Sequence, residues 1–198
     1  MFTATFSNSF RSLARDMADK AIEVSVTNDN EAGENIEHYV HPVDKSRKAE
    51  LLIELIETQK WDQALVFTRT KHGADRLQKQ LDKVDIKSKA IHGNKTQNNR
   101  MKALDAFKNN RIKILVATDV AARGIDIKKM SQVINFDVPT VAKDYIHRIG
   151  RTARAGSEGS ALTLLTPDDR SMWNSINKLI DPNSVSYTHL TLPTIYSV

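Results

Sequence analysis

The densest run of reactive side chains is HRIGRTARAG, beginning at His147, in which Arg148, Arg151 and Arg154 recur every three residues. On a helical or tight-turn backbone this spacing sets three guanidinium groups at neighbouring positions of one face, where like charges repel by roughly 0.2–0.5 kcal/mol per pair. No Asp or Glu lies between His147 and Gly156 to neutralise them. The segment therefore expects an external anion, and the planar donor fork of Arg suits phosphate oxygens better than a Lys ammonium does. The alternative is a solvated basic turn. His147 has no second ligand at a useful spacing, so no metal is expected there.

Three other segments carry related chemistry. After the apolar run ALVF come Thr68, Arg69 and Thr70; after SKAI come His92, Gly93, Asn94 and Lys95; after ILVA come Thr118 and Asp119, then Ala121 to Asp126 with Arg123 and Gly124 between. Hydroxyls, a cation and glycine together let a backbone approach phosphates and let helix amides bind them. Turn chemistry alone would explain one such end, but less readily three. Against this, the sequence has no G-x-x-x-x-G-K-[ST] loop and no acidic cluster after an apolar strand. Phosphate-facing groups without a phosphate loop look like half of a site. An arginine supplied across a domain boundary stabilises transition-state charge and is worth on the order of 10³–10⁵ in rate.

The elements that must position these residues follow from the apolar pattern. Strands are expected at 36–41, 64–67, 88–91, 113–117, 132–136 and 160–165, several of them near-continuous apolar runs of the kind buried on both faces. Helix patterns alternate with them. Asp44 is placed to cap a helix with Leu51, Leu52, Leu55 and Ile56 on one stripe, and Thr70 to cap another carrying Ala74, Leu77 and Leu81. A third is expected from about Thr96 to Lys108 with Met101, Leu104 and Phe107 inward. This alternation predicts an α/β fold with a mainly parallel sheet, whose ligand site lies at the carboxyl ends of the strands.

Residues 36–182 form the expected complete domain. Residues 1–27, with one helix pattern and one short strand, read as the end of a preceding domain, and the polar stretch 28–35 as a linker. Residues 183–198 hold no Asp, Glu, Lys or Arg and are expected to be a non-native or disordered appendage. The 198 residues include no Cys, which excludes disulfides, thiolate metal sites and cysteine nucleophiles and suits a cytoplasmic protein. No apolar run is long enough to span a membrane. The net charge of +5 permits a polyanionic partner, and it is expected to reside at the strand ends and in the His147–Arg154 segment.

In order and spacing these segments match a known family. The chain resembles the C-terminal RecA-like domain of DEAD-box ATP-dependent RNA helicases, most closely the bacterial RhlE type, over roughly residues 1–180. Thr3-Ala4-Thr5 is similar to the family's Ser-Ala-Thr motif with Thr replacing Ser, and Val66-Phe67-Thr68-Arg69-Thr70 to motif IV. Gln97 with Arg100 is similar to the RNA-contacting motif that follows, ATDVAARGIDI from Ala117 to motif V, and YIHRIGRTARAG from Tyr145 to motif VI. Ala153 stands where many relatives have Gly.

The resemblance implies a RecA-like three-layer α/β/α fold and an ATP hydrolase that clamps and unwinds RNA. By it, Arg151 and Arg154 are arginine fingers, both reaching ATP, and Asp126 binds its ribose. Thr68, Arg69, Arg100, Thr118 and Gly124 would line the RNA backbone, largely without reading sequence. Thr3, Thr5, His147 and Arg148 would couple this domain to the first. The adenine-reading, Walker A and DEAD motifs belong upstream of Met1, so ATP with Mg²⁺ would be held mainly by that first domain. The fragment alone would be an inactive monomer. The alternatives are a stand-alone RecA-like interaction module without ATPase activity and, more remotely, a DNA helicase.

Overall fold

The computed structural model describes residues 36–123, 130–152 and 159–180. The chain divides after Glu31, and every described residue belongs to the unit Ala32–Val198. The expectations for residues 1–27, for the linker at 28–35 and for the tail at 183–198 lie outside the described residues.

Among the described residues six strands form one sheet: β1 (Ile36–Pro42), β2 (Ala64–Phe67), β3 (Ser88–Ile91), β4 (Ile114–Ala117), β5 (Gln132–Asn135) and β6 (Gly159–Leu165). The spatial order is β1-β6-β5-β2-β4-β3, and every pairing is parallel. Each strand lies within one residue of its expected bounds. All four residues of β2 and of β4 are buried, which is why their sequences are apolar without alternation: both faces are covered.

The covering helices are α1 (Lys48–Thr58), α2 (Lys71–Asp82), α3 (Gln97–Lys108), α4 (Asp119–Ala122), α5 (Ala142–Ile149) and α6 (Arg170–Ile180). Ala64, Val66, Ile114 and Val116 pack with Leu52 and Ile56 of α1 and Ala74, Leu77 and Leu81 of α2. The alternate residues Leu65, Phe67, Leu115 and Ala117 pack with Ala103 and Phe107 of α3 and Ala121 and Ala122 of α4. Tyr145 and Ile149 of α5 and Ile176 of α6 form a third cluster with Ala161 and Leu165. The result is three layers, with crossovers to the right in sheet order on one face and those returning on the other, as right-handed connections require.

Two local expectations are corrected. Asp44 gives no side-chain cap; the chain first makes a 3-10 turn over Lys45–Arg47, and α1 begins one turn later. Met101 is 61% exposed rather than inward. At 100° per residue it falls about 200° from Ala103, so the stripe formed by Ala103 and Phe107 excludes it. Thr70 does cap α2, its Oγ1 accepting from the Gly73 N–H at 2.9 Å, and Thr96 caps α3 in the same way at 3.3 Å.

Among the described residues no helix is long and apolar enough to cross a membrane.

Candidate functional site

Parallel register brings Phe67, Ala117 and Asn135 into one row across β2, β4 and β5. The chain then leaves β2 toward β3 but leaves β5 toward β6, so the two connections part and open a crevice between adjacent strand ends. The segments singled out by composition converge on this edge.

Arg148, in α5, fills the crevice from one side. It is 1% exposed. Its Nε and Nη2 donate to the two carboxylate oxygens of Asp119 at 2.6 and 2.8 Å, and Nη1 donates to Asn135 Oδ1 at 3.0 Å and to the Asp137 carbonyl at 2.6 Å. The guanidinium carbon also stands 5.0 Å from the Phe67 ring centroid. A buried cation requires such full engagement, because an unpaired one would be driven out by desolvation. This corrects the expectation that Arg148 shares an anion-seeking face with Arg151. Its anion is internal, supplied by a residue 29 positions earlier on a different element.

Beside this pair opens a shallow cleft whose walls include Phe67, Arg123, Asp144, His147 and Arg151. Asp144 organises one wall: Arg123 Nη2 donates to its Oδ1 at 2.7 Å, and His147 Nδ1 lies 3.5 Å from the same oxygen. Arg151 is set at the other wall by its backbone, whose N–H donates to the Arg148 carbonyl at 3.1 Å and whose carbonyl accepts from the Met130 N–H at 3.2 Å. The preceding Gly150 ends α5 tightly. Its N–H donates to the Ile146 carbonyl at 2.9 Å, and a Cβ there would come within 3.2 Å of that oxygen. Gly124, Asp126 and Arg154 lie outside the described residues, as do Thr3 and Thr5.

A second cluster lies across the crevice at the end of β2. Thr68 is buried, and its hydroxyl donates to the Thr70 carbonyl at 3.3 Å; Thr118 is buried at the start of α4. The Thr68 hydroxyl thus ties the edge from within. Arg69 is different, with a side chain 44% exposed. Its Nη2 donates to Asp169 Oδ1 at 2.7 Å and to the Val138 carbonyl at 3.0 Å, and its amide N–H donates to Asp137 Oδ2 at 2.9 Å.

Beneath it sits Lys48, buried at the start of α1. It donates to the Phe136 carbonyl at 2.7 Å and to Asp137 Oδ1 at 3.2 Å, and lies 3.7 Å from Asp169 Oδ2. Burial pushes the Asp169 carboxyl up, but hydrogen bonds from Thr166 and Arg69 and the charges of Lys48 and Arg69 outweigh it and hold the group below its ordinary value. Asp137 joins the two clusters: its carboxylate takes Lys48 and Arg69, and its carbonyl takes Arg148.

Lys48, Asp137 and Asp169 were not among the residues the sequence singled out. One signal was available for Lys48, which stands four residues before Leu52 and eight before Ile56 and so falls on the buried stripe of α1.

At the outer strand ends, Arg100 donates to Gln97 Oε1 at 3.2 Å and to the Ala121 carbonyl at 3.3 Å, which ties α3 to α4 and leaves the guanidinium half-exposed. His92 is buried with Nε2 3.0 Å from Asp75 Oδ1, and Lys95 Nζ lies 2.9 Å from the same oxygen. Burial raises the Asp75 carboxyl, but hydrogen bonds from His92 and Lys95 and their charges hold it below its ordinary value. Lys71 Nζ donates to Asn94 Oδ1 at 2.7 Å.

The sequence profile described as the helicase conserved C-terminal domain matches residues 47–156. The DEAD-box ATP-dependent RNA helicase RhpA of Helicobacter pylori is 40% identical over 167 residues, which are 84% of this chain and 34% of that protein. CshA of Bacillus subtilis, also a DEAD-box ATP-dependent RNA helicase, is 39% identical over 178 residues, covering 90% of this chain and 36% of that protein. The chain thus spans about a third of the length of the curated relatives it matches. Among solved structures, S. cerevisiae Dbp5 bound to RNA and ADP BeF3 superposes with a TM-score of 0.80 at 29% identity, over 92% of this chain and 49% of that one. The parallel six-stranded sheet and its helices are therefore a RecA-like domain, and the chain belongs to the helicase conserved C-terminal domain family, alongside DEAD-box RNA helicases.

Proposed function

We propose that this domain is the second half of an ATP-dependent RNA helicase of the RhlE type: its strand-end cleft closes over a nucleotide held by a preceding RecA-like domain, and its Arg69 and Arg100 edge grips RNA. The observation that supports this most is the placement of Arg151. It lines the cleft beside the Arg148–Asp119 pair, at the position the family motif uses as a finger. Arg151 and Arg154 would meet the γ-phosphate, and Asp126 the ribose hydroxyls.

The cationic lining fits phosphate oxygens. On this reading Mg²⁺ travels with the nucleotide on the preceding domain. Bound ATP supplies the scissile phosphoanhydride, and this chain's part is to place positive charge where negative charge develops.

RNA would be held through its backbone by Arg69 and Arg100, with Thr68, Thr118 and Gly124 shaping the edge beneath it. His147 would face the first domain directly, and Arg148 would act at one remove. Thr3 and Thr5 would transmit closure from the first domain, and the whole protein would work in the cytoplasm as a monomer. The reading predicts that this chain by itself hydrolyses no ATP, with or without RNA. RNA-stimulated turnover by the chain alone contradicts it.

A further inference from the structure

The charge of the molecule is not where the strand ends and the arginine segment would put it. Residues 71–113 hold twelve Lys and Arg against four Asp, a net charge of +8, whereas the rest of the chain nets −3. These residues make up α2, β3, α3 and their connections, the three elements at one end of the sheet.

Three of the four carboxylates there are already engaged. Asp75 takes His92 and Lys95, Asp82 accepts from Ser88 Oγ at 3.0 Å and Gln78 Nε2 at 3.2 Å, and Asp105 takes Arg111 and Asn109. The cations face out. Arg76 and Lys79 on the outer side of α2, Lys83 at its C-cap, Lys87 just before β3, Lys89 within it and Lys113 ahead of β4 are all exposed, and none is ion-paired among the described residues. Among the described residues strand β3 pairs only with β4, and no described strand lies along its other edge.

Lysines on an edge strand have an ordinary use, which is to prevent pairing with another chain. That accounts for Lys87 and Lys89. It does not account for Arg76, Lys79 and Lys83, which recur at i, i+3 and i+7 along α2 and form a stripe about 10 Å long. This stripe starts one to two turns after Lys71. At 100° per residue the stripe lies about 80–140° round the helix from Lys71, so the same helix carries the stripe away from the Lys71, Lys95 and Arg100 group at the carboxyl end of the sheet.

We propose that the β3 edge and the outer face of α2 form a second landing surface for RNA, which takes the sugar-phosphate backbone of the strand leaving the strand-end site. The inference rests on the RNA reading above. Because the groups are exposed Lys and Arg cations with no aromatic platform among them, the surface holds phosphates electrostatically and reads no sequence.

The test uses the full 198-residue chain, a long single-stranded RNA and a hexamer of the same composition, with salt titrations of binding. The variant carrying Lys79→Gln, Lys83→Gln, Lys87→Gln and Lys89→Gln should bind the long RNA at least tenfold more weakly. It should also lower the slope of log K against log salt by about 2–3, at roughly 0.7 per lost phosphate contact. Hexamer binding should move less than twofold, and the same four positions as Arg should restore the long RNA, which separates charge from folding. If the Gln variant matches the parent while Arg100→Ala weakens both RNAs, the landing surface is overturned and the strand-end reading survives. Failure of the unmodified chain to bind either RNA overturns both. If poly-glutamate binds the parent more tightly than the long RNA and loses that binding in the Gln variant, the surface belongs to an acidic protein instead.

Discussion

Arg148 and Asp119 meet through both carboxylate oxygens, at 2.6 and 2.8 Å, and join the last turn of α5 to the first residue of α4 across the crevice. The arginine is shut away from water, whereas the Asp119 side chain is 26% exposed. Removing the carboxylate therefore strands a buried cation, an event that costs about 3–5 kcal/mol in proteins. Asp119→Ala should lower the unfolding free energy by about 3 kcal/mol in urea titrations. A loss under about 0.5 kcal/mol, the scale of an exposed pair, would show that water reaches the guanidinium.

The two hydroxyl caps and the failed carboxylate cap make a matched comparison. Thr70 and Thr96 each accept from an amide in the first turn of their helices, whereas Asp44 accepts none. Thr70→Ala and Thr96→Ala should each cost about 1 kcal/mol, and Asp44→Ala less than about 0.5 kcal/mol. Thermal or urea unfolding of the three single variants measures the ranking.

Stability should fall with acid in two separate windows. Asp169 has a folded pKa below its ordinary 3.8, so the folded chain binds this proton more weakly than the unfolded chain. Its contribution is complete above about pH 4 and is lost as the pH falls through the folded value. Burial likewise holds His38 and His41 below 6.5. The unfolded chain takes up those protons first, and stability declines as the pH drops below 6.5. Asp169→Asn should flatten the urea midpoint below pH 4, and His38→Gln should flatten it between pH 7 and 5. His38→Gln also removes the 3.1 Å contact between Nδ1 and the Tyr145 hydroxyl, so its midpoint should be lower at pH 8.

The strands were legible because burial on both faces writes itself into sequence: ALVF and ILVA have no polar residue to spare. The stripe of α3 was not, since Met101 is apolar yet lies off the face that Ala103 and Phe107 define. At the site, the Arg151 position could be read from its motif, while the fate of Arg148 could not. Its partner sits 29 positions away, and those of Lys48 and Arg69 as far as 89 and 100. A spacing rule sees neighbours along the chain, whereas charge neutralisation is settled by which strand ends the topology brings together. For the same reason the charge excess was misplaced, because +8 spread over residues 71–113 makes no motif.

The most direct test of the central claim, that the strand-end cleft is the second half of an ATP site, is Arg151→Ala in this domain joined to a first RecA-like domain. RNA-stimulated hydrolysis and ATP affinity are measured on the same protein. A finger that acts on developing charge predicts a fall in kcat on the order of 10³-fold, with ATP affinity changed by less than about threefold, because the interaction is made in the transition state. Equal losses in rate and affinity, or no loss in rate, would contradict it.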